Sequence, residues 1–141
     1  MTALMTEEHL DDCAALFVDV FSAPPWEEPW ELADARKRLG DLFGVPGARG
    51  VCLVEDGRLL GFALGQVERS LGADHFRLSE MCVRTSEQRR GLGSTLLRAL
   101  ADALPGVENW YLQTLRDGDA AAFYEKNGFR PARRMAVYVR P

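Results

Sequence analysis

Histidine is nearly missing from this 141-residue chain, which carries only His9 and His75, and cysteine is confined to Cys13, Cys52 and Cys82. So few ligands at such spacings give no zinc or other metal site, and an odd, scattered set of thiols gives no disulfide framework. Buried free thiols are the expectation. Long apolar runs are missing too, and Met1 to Leu10 holds acids where a secretory leader would hold bases. A cytoplasmic protein is therefore expected, with no membrane role. Basic charge is in deficit: 17 Lys and Arg against 21 Asp and Glu leave a net charge of −4. A nucleic-acid binder needs a basic stripe, so nucleic acid is excluded as the main partner. Repeats, low-complexity tracts and linkers are absent, and residues 1–141 are read as one domain large enough for a real core.

Within this acidic chain positive charge is kept beside glycine, at Arg89-Arg90-Gly91-Leu92-Gly93-Ser94. The segment lies between a strand-like run, Phe76 to Arg84, and a helix-like run, Ser94 to Leu104. The first N–H groups of a helix have no internal partner and carry the positive end of its dipole. Glycines let an anion approach that backbone, and arginines add forked donors. The composition therefore points to a phosphorylated ligand. A P-loop would need a lysine after a glycine, and none is there. A dinucleotide fingerprint would need a third glycine where Leu96 stands.

The rest of the chain sets that loop in a pattern. Thr6-Glu7-Glu8 begins a helix carrying Leu10, Ala14, Phe17, Val18 and Phe21 at helical spacing. Ser22 to Pro29 breaks it, and a second helix is expected from Pro29 to about Leu42. Val51 to Glu55 and Leu59 to Val67 flank Asp56-Gly57, a hairpin signal. After Phe76 to Arg84 comes a helix over Gly91 to Leu104, with Leu92, Leu96, Leu100 and Leu104 on one face and Pro105-Gly106 as its stop. Trp110 to Leu115 then reads as a strand, Asp117 to Lys126 as a helix, and Arg134 to Val139 as a last strand. Strand–helix alternation after a hairpin predicts an α/β fold, a mixed sheet with helices on both faces.

Gln88-x-x-Gly91-x-Gly93, preceded by Glu80-Met81-Cys82-Val83, resembles the cofactor motif of the GCN5-related N-acetyltransferase (GNAT) family. Ala120-Ala121-Ala122-Phe123-Tyr124-Glu125-Lys126-Asn127-Gly128-Phe129 resembles the family's C-terminal signature. The likeness runs from the first helix to the last strand and is most specific between Glu80 and Phe129. It implies a single-domain, mostly antiparallel sheet flanked by helices and the use of acetyl-coenzyme A. Gln88 and Arg89 to Ser94 would hold the pyrophosphate. The backbone of Met81, Cys82 and Val83 would bind the pantetheine, with one amide facing the thioester oxygen. Phe123 and Asp117 would complete the cofactor side. Asp117 stands where relatives have asparagine, so the amide donor is lost there.

Two residues are expected to act in catalysis. Tyr124 matches the family tyrosine that protonates the departing thiolate; its other role is that of a packed tyrosine with a satisfied hydroxyl. Glu80, a carboxylate on an apolar strand, would take the proton of an acceptor ammonium or hold that cation in place. The competing role for Glu80 is an ion pair with Arg77, Arg84 or another arginine. Side chains alternate, so Glu80 and Cys82 share one face and Met81 and Val83 the other. No histidine lies nearby in sequence to activate Cys82, which is not read as a nucleophile. In this fold the first interhelical loop covers the acceptor side. Trp26, Trp30 and the acids around them would form a wall for a cationic amine, or the tryptophans would pack on the core. The expected activity is acetyl transfer to a primary amine, small or on a protein, by direct attack in a ternary complex. The alternative is a non-catalytic coenzyme A sensor of the same fold. Relatives often dimerise.

Overall fold

The computed structural model describes residues 1–141. Its centre is a five-stranded sheet in the order β1 (Thr2–Leu4), β2 (Ala48–Glu55), β3 (Arg58–Glu68), β4 (His75–Val83) and β5 (Asn109–Tyr111). The first four strands pair antiparallel, and β5 joins β4 in parallel. The β2–β3 hairpin turns where Asp56 and Gly57 both take left-handed φ, 52° and 74°, as a two-residue hairpin loop demands.

Helices cover both faces of the sheet. Helix α1 (Leu10–Ser22) buries Leu10, Cys13, Ala14, Phe17 and Val20, a stripe at helical spacing, and α2 (Leu32–Phe43) adds Ala35 and Leu39. These pack against Phe62, Leu64 and Cys82 of the sheet. On the other face α3 (Leu92–Asp102) buries Leu96, Leu97 and Leu100 against Val51, Ala63, Phe76 and Leu78. Helix α4 (Asp119–Lys126) lies on that side through Phe123 and Tyr124. All three cysteines are buried and free.

The cores on the two faces reveal a change of side along β4. Phe76 and Leu78 belong to the α3 face, whereas Cys82 belongs to the α1–α2 face, although all three are even-numbered. The register explains it: Leu64 faces Glu80 but Gly65 faces Leu78, so Ser79 is an extra residue in β4. A bulge of this kind bends the strand and re-aims the side chains beyond it. Glycine is needed opposite it, because a Cβ at Gly65 would lie 2.1 Å from the Arg77 carbonyl oxygen.

Four sequence expectations shift. A three-residue strand, β1, pairs with β2 through Thr2–Leu53 and its neighbours; three residues are too few to show a period. Helix α1 proper starts at Leu10 after a 3-10 turn over Glu7–His9. Strand β5 stops at Tyr111 instead of reaching Leu115. Arg134 to Val139 forms no strand: Met135, Val137 and Val139 alternate as a strand would but are 78%, 68% and 84% exposed. Alternation alone does not make a strand when no neighbouring edge takes up its N–H and C=O groups.

Candidate functional site

The site begins where β4 and β5 part. Their pairing covers only His75–Arg77 of β4 and Asn109–Tyr111 of β5, so β4 runs on to Val83 with no strand on that side. The Arg84 amide donates to the Leu60 carbonyl of β3. Backbone groups alternate along an antiparallel pair, so Cys82 also faces β3, while Met81 and Val83 face the opening. Of the three residues expected to offer their backbone, two point into the gap and Cys82 does not. The Val83 carbonyl already accepts a hydrogen bond from Gln88 Nε2 at 3.2 Å, which ties the end of β4 to the following loop. Gln88 thus holds the loop itself.

That loop enters α3 through Gly91, with φ 74° and no side chain capping the helix. The N–H groups of Leu92, Gly93 and Ser94 therefore lack partners inside the helix. Arg89 is also left-handed, with φ 74°; left-handed residues in a turn before a helix are the geometry of backbone anion cradles. A Cβ built on Gly91 would meet nothing within 4 Å, so the backbone is open there. Gly93 differs, since its Cβ would stand 2.8 Å from the Phe123 ring. Gly93 lets α4 sit close to α3. Arg90 is engaged elsewhere: its guanidinium donates to Glu87 at 2.6 Å and lies 3.7 Å from Glu55. Of the arginine pair, Arg89 is the one without a carboxylate partner.

On α4, Tyr124 packs edge-on to Phe123 and Phe129 with ring centroids 5.3 Å and 5.6 Å away. Burial, and then the charge of Glu80, push its phenol up to about 12. It keeps its proton at neutral pH and is equipped to donate a hydrogen bond. Asp117 is exposed and left-handed at φ 63°, and it precedes α4. A cleft of about 1020 Å³ lies between β5, α4 and the C-terminal segment, with Leu112, Asp117, Tyr124 and Met135 among its walls; no residue of β4 or of the α3 entry lines it.

Glu80 lies on the α1–α2 face because of the bulge at Ser79. Its side chain is 11% exposed and receives Arg38 Nε at 2.6 Å. Burial raises its pKa above the usual carboxylate value, and the Arg38 charge partly offsets that. The ion-pair partner is thus neither Arg77 nor Arg84. Arg84 donates instead to the Leu59 carbonyl. Trp30 joins the group, its ring centroid 5.9 Å from the Arg38 guanidinium carbon, while its Nε1 donates to Glu28. Trp30 also packs edge-on to Phe17 in the core, the packing role expected of it, and the cation over its ring is the protein's own Arg38. Trp26 packs edge-on to Phe21 and is half exposed; none of its aromatic or hydrogen-bond contacts reaches Glu80. Arg38 is the residue sequence reasoning missed. It sits on a polar helix face, forty-two positions before its partner. Cys82 is buried beside Glu80, and burial pushes its thiol well up, away from the thiolate. No group of three or more His, Cys, Asp or Glu is placed to hold a metal.

A gap between two strands, an open glycine at a helix start and a buried carboxylate on β4 form the candidate site. The family model described as the acetyltransferase (GNAT) domain matches residues 47–131. The chain belongs to that family. Among solved structures it resembles an aminoglycoside acetyltransferase from an uncultured soil metagenomic sample, determined in complex with sisomicin: 18% identity over 100% of this chain and 94% of that one, TM-score 0.73. A ribosomal-protein-alanine N-acetyltransferase from Brucella melitensis biovar Abortus is similar at 16% identity over 99% and 98%, TM-score 0.75. A probable acetyltransferase matches at 24% over 100% and 97%, TM-score 0.80. At these identities the likeness is one of fold. No curated protein matches the sequence.

Proposed function

We propose that this protein transfers the acetyl group of acetyl-coenzyme A to a primary amine by direct attack in a ternary complex. The observation that carries the reading is the unpaired side of β4 at Met81 and Val83, followed by the open, left-handed entry of α3 at Gly91. The residues fit the cofactor. Arg89 and the amides of Gly91 to Ser94 would hold the pyrophosphate, and the Met81 backbone with the Val83 amide would bind the pantetheine as an added strand. When bound, acetyl-coenzyme A supplies a thioester whose C–S bond breaks as the acceptor N–C bond forms, the electron pair leaving on sulfur.

Glu80 takes the proton the amine sheds. Its raised pKa makes it a stronger base than an ordinary carboxylate, and its burial keeps the proton from water. Tyr124 donates its hydroxyl hydrogen to the sulfur as negative charge gathers there. Phe123 positions Tyr124 by packing against Gly93. The acceptor is either small or borne on a protein, and it would enter on the solvent-facing side of Glu80. Release of free thiol from acetyl-coenzyme A across an amine panel tests the reading. Turnover supports it; tight cofactor binding with no transfer to any amine would favour a coenzyme A sensor of the same fold.

A further inference from the structure

The acceptor side of Glu80 is not an open anionic wall. Arg38 stands at it, and its guanidinium reaches the same carboxylate oxygen, Oε1, through both Nε and Nη2 at 2.6 Å. The Arg38 side chain is 45% exposed while that of Glu80 is 11% exposed, so the cation lies on the solvent side of the anion. Trp30 backs the guanidinium, and the Trp30 ring is fixed in turn by Phe17 and Glu28. Arg38 is therefore held in place by two partners and still offers outward donors, because a guanidinium has five N–H groups.

That arrangement constrains the acceptor. A simple alkylammonium arriving at Glu80 would meet a second cation already sharing the carboxylate, and like charges at contact distance repel. An acceptor that brings its own anion removes the conflict. Its ammonium pairs with the unshared Oε2 of Glu80, and its anion takes the remaining Arg38 donors in the planar, forked geometry arginine offers a carboxylate. The charges then alternate: acceptor carboxylate, Arg38, Glu80, acceptor amine.

We propose that Arg38 is a specificity-determining residue and that the acceptor is a zwitterion, an amine flanked by a carboxylate as in a free α-amino acid. Ammonium and carboxylate joined through a single carbon match a guanidinium and a carboxylate already in contact. This rests on the acetyltransfer reading above and narrows its acceptor.

Matched pairs test it: phenylalanine against 2-phenylethylamine and ornithine against putrescine, each followed by thiol release and by calorimetric binding to the coenzyme A complex. The carboxylated member should win by about 10- to 100-fold in kcat/KM and in binding, the range of a charge-assisted pair. Arg38→Ala should bring that ratio to near unity by raising the KM of the carboxylated acceptor, and Arg38→Lys should keep part of it as a point charge without a fork. Arg38→Lys keeps a cation beside the buried Glu80 carboxylate and so reads the ratio without leaving that charge unpaired. Equal or better use of the plain amines would overturn the zwitterion proposal and leave acetyltransfer standing. So would an Arg38→Ala variant that lowers both members alike, since Arg38 would then only orient Glu80. Failure of acetyl-coenzyme A to bind would remove both.

Discussion

Replacing Glu80 by Gln separates its chemistry from its packing. Gln keeps the shape and a hydrogen-bond acceptor for Arg38 but cannot take a proton. The ion pair it breaks has one half-exposed member, with Arg38 at 45%, so water can solvate the released cation. Such pairs contribute about 0–1 kcal/mol, and removing a buried charge offsets part of that. The melting temperature should therefore move by no more than about 5 °C. General-base catalysis is worth about 10²- to 10⁴-fold, and kcat/KM should fall by that amount. The pH profile adds a sign. Glu80 works only when deprotonated, and burial raises its pKa. Activity should rise with pH through that raised value, on a limb displaced upward from the ordinary carboxylate range, and the limb should vanish in the variant. Thiol release by stopped assay, with melting measured alongside, reads both. A Glu80→Gln enzyme within about threefold of the parent, or one that keeps the same acidic limb, would refute the base assignment.

Gly91→Asp should abolish acetyl-coenzyme A binding in calorimetry while the fold survives, since nothing lies within 4 Å of the added Cβ. The left-handed φ costs about 1 kcal/mol, and aspartate tolerates it better than most residues. Tyr124→Phe should lower kcat more than it raises the cofactor KM, and spectrophotometric titration should show the loss of a phenol ionising near 12. Unchanged turnover would end the acid assignment. Gly93→Ala should destabilise the protein by about 1–3 kcal/mol in denaturant unfolding, because the Phe123 ring must give way. It should also lower kcat by displacing Tyr124.

Much of this arrangement is legible in the residues themselves. The hairpin at Asp56-Gly57, the leucine face of α3 and the Gly-x-Gly helix entry are local signals, and the structure places each as expected. The order of elements, read with the family likeness, supplies the mixed sheet. What stays hidden is set by long-range pairing. The bulge at Ser79 exists only in register with Leu64 and Gly65, so alternation along β4 gives the right relation of Glu80 to Cys82 but not which face they take. Arg38 meets Glu80 only after α2 packs on the sheet. The segment Arg134 to Val139 has a strand's alternation without a strand's partner, which sequence period cannot reveal. Arg90 looks like a phosphate ligand in sequence, whereas Glu87 and Glu55 claim it in space.

The central claim is that the open start of α3 and the gap beside β4 hold acetyl-coenzyme A. Calorimetric titration of the protein with acetyl-coenzyme A, ATP and NAD tests it most directly. Saturable binding of acetyl-coenzyme A, lost in Gly91→Asp and much tighter than that of the two nucleotides, is the predicted result. Tight binding of ATP or NAD with none of acetyl-coenzyme A would contradict it.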